Sequence, residues 1–160
     1  LRDLLPGKIL LEFSNEGYEG LDVTRMEIYK SAFELIKENP FFGIGAGSFT
    51  EIFLLNTTFW KGHSHNLLLE LAISYGLPAT IIFFVTTTYI LYLSSKKIFS
   101  SKIIINNSYI DRAFWSALFF FLISQLSDVQ YFDGKISLIT WILIAGLKNI
   151  ILDINYKTSG

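Results

Sequence analysis

The sequence predicts an all-α integral membrane protein in which an external segment with an amphipathic helix precedes about three transmembrane helices. Three observations predict it. Of the 160 residues, 51% are hydrophobic and only 17% are charged, less charge than a water-soluble domain carries. Residues 71–95 include no charged side chain, and that run exceeds the roughly 20 residues a helix needs to span a bilayer. Residues 1–65, by contrast, mix charges, glycines and aromatics without an apolar run long enough to cross, so they are water-facing or interfacial.

The first crossing, about 71–95, is followed by Lys96, Lys97 and Lys102, and Arg112 closes the same short connection. Positive charge clustered beside a crossing marks the cytoplasmic side. Residues 113–127 are apolar but short for a hydrocarbon core of about 30 Å. The second crossing therefore takes in flanking residues, over about 111–128, or packs against its neighbours. Asp128 bounds it, and residues 128–135 read as a tight external turn around Asp133-Gly134. A third crossing over about 136–152 returns inward, with Lys148 placed to snorkel near its cytoplasmic end. Residues 1–65 are then an external loop and residues 66–160 a transmembrane part with a cytoplasmic C-terminus, since basic residues in a long translocated segment carry little weight in orientation. The chain opens on Leu1 without a basic leader or cleavage site, which suits a fragment of a longer polytopic protein.

Composition excludes some chemistry. The formal net charge of -1 lacks the cationic footprint of a nucleic-acid binder. Without cysteine there is no disulfide, thiol nucleophile or thiolate metal site.

In the external segment, Thr24 and Glu27 have the spacing of a capping box, which opens a helix over about 25–38. Ile28, Ala32 and Leu35 form one stripe with Tyr29, Phe33 and Ile36 beside it, while Glu27, Lys30, Glu34 and Lys37 take the other face. Asn39-Pro40 ends the helix, because proline disfavours helical backbone in the residue before it. The apolar face is expected to pack on neighbouring helices rather than lie on the bilayer surface. Phe41-Phe42-Gly43-Ile44-Gly45-Ala46-Gly47 then places three glycines at alternate positions. The run is neither a dinucleotide fingerprint nor a phosphate-binding loop. Ser48 and Glu51 have the spacing of a second capping box, so the preferred reading is a glycine-rich turn between two helices, with close ligand approach secondary.

His63-Ser64-His65-Asn66 stands directly before the apolar run and holds both histidines of the chain. Two histidines two apart share an ion only on extended backbone, and Glu51 and Glu70 are the acids near enough in sequence to complete a shell, so no metal and no cofactor is expected. Asn66 is placed to cap the helix that begins the first crossing. His65 would then sit at the positive end of that helix. With Arg25 nearby, both charges would hold its imidazole neutral near pH 7, able to accept a proton. Helix-terminal amides and a guanidinium together suit a phosphate or pyrophosphate.

From Arg25 onward the sequence resembles the O-antigen ligase family, whose relatives include O-antigen polymerases and protein O-oligosaccharide ligases of bacterial inner membranes. Arg25-Met26-Glu27-Ile28-Tyr29 through Asn39-Pro40-Phe41-Phe42-Gly43-Ile44-Gly45 is similar to the family's arginine-led external helix with its Asn-Pro and glycine turn. His65-Asn66, separated from Gly76 by nine residues, fits the family's histidine motif, whereas Ser74 stands where His63 would need its glycine. Many members carry a second glycine three residues after the first; here it is Ala79, a departure that counts against the ligase branch specifically. The resemblance implies metal-independent glycosyl transfer from undecaprenyl pyrophosphate to an acceptor hydroxyl, at the external face of a multi-pass protein of the bacterial inner membrane. Arg25 would grip pyrophosphate and His65 would deprotonate or orient the acceptor, with Asn66, His63, Gly43, Gly45 and Gly76 supporting. The implied partners are the lipid-linked glycan donor, a polysaccharide, lipid or protein acceptor, membrane lipids, and the remaining N-terminal transmembrane helices of a longer chain, without which this portion would be inactive.

Two other classes compete. Relatives labelled as bicarbonate carriers suggest transport, with Gln125, Asp128 and Asp133 along an ion path, although the two acids fall at the external boundary rather than mid-bilayer. A non-catalytic assembly subunit would use Arg25 and His65 only to cap and solvate the interface.

Overall fold

A computed structural model describes residues 23–100 and 108–153. Among the described residues every regular element is a helix: α1 (Arg25–Glu38), α2 (Ser48–Thr57), α3 (Leu67–Ser100), α4 (Ser108–Ser124) and α5 (Gly134–Leu152). The predicted features within residues 1–22, 101–107 and 154–160, including Lys102, lie outside the described residues.

The capping box opens α1 as expected, the Glu27 amide donating to Thr24 Oγ1 at 3.3 Å and the Thr24 amide to Glu27 Oε2 at 2.8 Å. The Thr24 amide and, after it, the Thr24 hydroxyl donate to the Glu27 carboxylate and hold that carboxyl below its ordinary range. Ile28, Ala32, Leu35 and Ile36 are buried, together with Phe49 and Phe53 of α2 and Ala72 and Ile73 of α3. The apolar face of α1 thus packs on protein, and Phe33, at its margin, is exposed.

At α2 the expectation of a second capping box fails. Gly47, in left-handed backbone at φ 79°, precedes the helix without any side-chain cap. The Ser48 hydroxyl is instead spent backward on the Ile44 carbonyl at 2.8 Å.

Helix α3 is broken. Gly76 has φ 83° and ψ 167°, so residues 67–75 and 77–100 are separate rods. Pro78, which lacks an amide hydrogen, falls in the first turn of the second rod, where no helical bond is lost. A break orphans the last carbonyls of one rod and the first amides of the next, and the glycine turn after α1 supplies their partners. The Ile44 amide donates to Ile73 O at 2.7 Å, the Gly45 amide to Ser74 O at 3.1 Å, and the Leu77 amide to Pro40 O at 2.7 Å. The two chains lie so close that a Cβ on Gly43 would meet the backbone of Ile73, Ser74 and Tyr75, and one on Gly76 would meet that of Phe41 and Phe42. These glycines serve backbone-to-backbone docking, and the space that a ligand would need beside Gly43 and Gly76 is filled.

Among the described residues, 67–99 and 134–152 form the two helices long and apolar enough to cross a membrane. The first crossing predicted over 71–95 straddles the break, and the unbroken stretch 77–99 rises about 34 Å, enough for a bilayer. The second crossing predicted over 111–128 becomes the 17-residue α4, which starts earlier, ends at Ser124 and rises only about 26 Å. Its Leu118 packs with Ile98 of α3 and with Ile144, Leu147 and Ile150 of α5. The Trp115 indole donates to Leu91 O at 2.9 Å. Lys97 Nζ donates to Ile151 O at 2.9 Å and also to Asp153 O, placing positive charge at the carbonyl end of α5. Asp133 caps the other end of α5, accepting from the amides of Lys135 at 2.9 Å and Ile136 at 3.3 Å.

If the glycine docking holds the break together, Gly43→Ala and Gly76→Ala will each cost about 1–3 kcal/mol or more, since positive φ and backbone overlap act together. Gly47→Ala, which meets nothing within 4 Å, bears the backbone strain alone. Thermal unfolding of the full-length protein in detergent checks this; equal midpoints for all three variants would remove the docking argument.

Candidate functional site

The site forms where the residues leading into α3 meet the loop after α4. Asn66 caps α3, its Oδ1 accepting from the amides of Leu68 at 2.9 Å and Leu69 at 3.3 Å. Its Nδ2 donates to Leu126 O at 3.0 Å, and the Leu67 amide donates to Gln125 O at 2.9 Å. The start of α3 is therefore stitched to the α4–α5 loop. That loop is held from within by Gln125, whose buried Oε1 accepts from the amides of Gln130 at 2.8 Å and Tyr131 at 3.0 Å. The histidine segment is held from the other side: buried Glu70 accepts from the Ser64 amide at 2.8 Å, and Ser64 Oγ donates to Asn66 O at 3.2 Å.

Between these anchors His65 adopts left-handed backbone at φ 55°, unusual for a residue with a side chain. That turn sets its ring edge-on to His63, with centroids 4.5 Å apart, and points both rings at one carboxylate. Asp128 Oδ1 lies 3.3 Å from His65 Nδ1 and 3.6 Å from His63 Nε2, and it also accepts from the Val129 amide at 2.9 Å. His63 Nδ1 accepts from the His65 amide at 3.2 Å, which assigns the proton of a neutral His63 to Nε2. His65 Nδ1, facing the carboxylate, carries its proton as donor, and its Nε2 is then left with a lone pair. Arg25, at the start of α1, donates from Nη1 to Ser127 O at 3.5 Å, next to Asp128.

Burial lowers the His65 imidazole below its ordinary value; the charge of His63 and, more weakly, that of Arg25 add to this and outweigh the hydrogen bond and charge of Asp128. The direction is the one expected from the sequence, but its chief cause is burial rather than the helix terminus and Arg25. Burial pushes the Asp128 carboxyl up, yet the Val129 amide, the bond to His65 and the charges of both histidines bring it below the usual carboxylate range.

The structure thus brings together Arg25, His63, His65 and Asn66. Gly76 lies at the far end of the first rod of α3, about 15 Å along the axis from Asn66, and Gly43, Gly45 and Gly76 belong to the docking at that break rather than to the surroundings of the two rings. Asp128 was read from sequence as an interfacial anchor, and its position against both rings was missed. One signal for it was available: His65 and Asp128 fall at the same boundary of the consecutive crossings that the sequence predicts.

Residues 7–84 match the family model described as O-antigen ligase, the family that the sequence resembles. No curated protein and no solved structure matches the chain. The match takes in Arg25, the glycine turn, both histidines and Gly76, and it ends before Asp128.

NMR titration of the chelator-treated full-length protein should find His65 below the ordinary histidine value of about 6.5. Since a carboxylate favours imidazolium, Asp128→Asn should move it lower still. An upward move would mean that Asp128 does not face the ring in solution.

Proposed function

We propose that this chain, with its O-antigen ligase match over residues 7–84, is part of a membrane glycosyl transferase of ligase or polymerase type. It moves a glycan from undecaprenyl pyrophosphate to an acceptor hydroxyl at the external face of the bacterial inner membrane. The observation that carries the reading is the convergence of Arg25, His65 and Asp128 at one end of the apolar helices, opposite the end that holds Lys96 and Lys97.

In this reading the acceptor hydroxyl oxygen forms a bond to the anomeric carbon as that carbon's bond to the pyrophosphate oxygen breaks. His65 Nε2 takes the hydroxyl proton, and Asp128 steadies the imidazolium that results. The lowered affinity of His65 for protons keeps its lone pair available near neutral pH. Arg25 holds the departing diphosphate, its fixed charge and planar donors doing there what a metal ion does in other transferases. Residues 77–99 and α5 cross the bilayer, α4 packs against both, and residues up to His65 are external. Longer chains of this kind would add the N-terminal helices and further cations for the donor.

Transport gains nothing from the geometry. Gln125 is committed to the loop amides, Asp133 to capping α5, and Asp128 to the histidine pair.

In the full-length protein, His65→Ala should lower transfer of lipid-linked glycan by about 10²–10⁴-fold, the span of general base catalysis. Arg25→Ala should lose it comparably, and Arg25→Lys should recover only part, because an ammonium lacks the planar fork. Membrane insertion should be unchanged in all three. Normal surface polysaccharide in His65→Ala or Arg25→Ala cells would reject the enzyme reading in favour of an assembly subunit.

A further inference from the structure

We infer that His63, His65 and Asp128 form a site for a divalent transition-metal ion of the zinc class, and that an ion bound there occupies the ring proposed as base. The inference concerns regulation and rests on the proposed function only for its consequence; the site itself follows from the geometry. One ligand atom from each of the three residues lies within 4.8 Å of the other two. In tetrahedral zinc coordination with bonds of about 2.0–2.2 Å, neighbouring ligand atoms are roughly 3.3–3.6 Å apart. The separations from Asp128 Oδ1 to His65 Nδ1 and His63 Nε2 are 3.3 and 3.6 Å. Two edges of the tetrahedron are therefore already in place.

Along the sequence, Glu51 and Glu70 are the acids nearest the two histidines. Glu70 is committed to the Ser64 amide, and the acid that arrives is Asp128, 63 positions from His65. Two of the conditions for holding an ion are met independently of it. The backbone of residues 63–66 is non-helical, with His65 at φ 55°, so both rings face one way. The loop bearing Asp128 is pinned by Gln125 and Asn66, so the carboxylate is positioned before any ion arrives. The side chains of His63, His65 and Asp128 are 31%, 29% and 54% exposed, which leaves an entry path and room for water as fourth ligand.

Coordination exacts something in return. His63 must release the Nε2 proton and keep one on Nδ1, giving up the bond it accepts from the His65 amide. The site is thus an exchangeable one rather than a structural one. Two imidazoles and one carboxylate suit zinc, cobalt or copper, and they leave calcium and magnesium short of oxygen ligands. An ion on the site takes His65 Nδ1 and leaves the ring's proton on Nε2, so the ring presents a donor where the proposed base needs a lone pair and no longer collects a proton from an acceptor.

The test uses the full-length protein in lipid nanodiscs, stripped with chelator and titrated with Co²⁺ as a spectroscopic stand-in. One equivalent should bind with visible absorption bands of tetrahedral type, and Zn²⁺ should bleach them. His63→Gln and Asp128→Asn should each weaken binding at least tenfold, while millimolar Mg²⁺ should not compete. In a parallel glycan-transfer assay, Zn²⁺ should inhibit in proportion to occupancy, chelator should reverse the loss, and His63→Gln should raise the half-inhibitory concentration relative to its own metal-free rate. Absence of saturable Co²⁺ binding, or binding indifferent to both substitutions, would overturn the site; full occupancy without loss of transfer would overturn its regulatory role. Binding at these residues in a protein that transfers no glycan when metal-free would uphold the site and count instead against the proposed reaction.

Discussion

The architecture turns on where the unpaired backbone groups of α3 find partners. A helix built for an apolar surrounding cannot leave amides and carbonyls open, since lipid offers nothing to bond them. This helix has such groups at its start and again at Gly76. The start recruits the loop after α4 through Leu67, Asn66 and Gln125, and the break recruits the turn after α1 through Pro40, Ile44 and Gly45. Those two recruitments bring Arg25 and Asp128 to the same end of α3 as His65. The side chains of the site are in this sense assembled by main-chain demand.

The site also shows how burial and charge divide their work. His65 is half-buried against its neighbours, which disfavours its charged form, while Asp128 remains exposed enough to stay ionised. One oxygen of that carboxylate serves a backbone amide and two rings at once. In the proposed reaction, a ring in this setting is basic enough to collect a proton and sufficiently neutral to be waiting for one. The arrangement differs from an exposed ion pair, whose contribution to stability is small, because its value lies in orienting the ring rather than in holding the fold.

Much of this was legible in the residues. Period and capping chemistry located α1 to within a residue, since Thr24-Glu27 and Asn39-Pro40 act locally. The long apolar runs located α3 and α5, though the break at Gly76 was hidden because hydropathy does not register backbone dihedrals. Ser48 misled for a related reason: its hydroxyl had a nearer partner in Ile44 O than the helix start offered. Arg25 and His65 could be selected by motif, whereas their meeting with Asp128 depends on the packing of α3, α4 and α5, which no local pattern encodes. The glycines were legible as a turn between two helices, but not the backbone they dock against, because a small residue announces close approach without saying what approaches.

The distance along the chain between the imidazole and its carboxylate has an evolutionary reading. His65 lies in the stretch shared with the family, and Asp128 is delivered by a hairpin beyond it. Recombination or gene fusion with a breakpoint between them would bring in a foreign hairpin, and the recognisable motif would survive intact while its acidic partner was exchanged. Proteins assembled in that way would share an identical signature yet differ in the basicity of the same histidine, so lineages could diverge in pH tolerance without changing a letter of the motif.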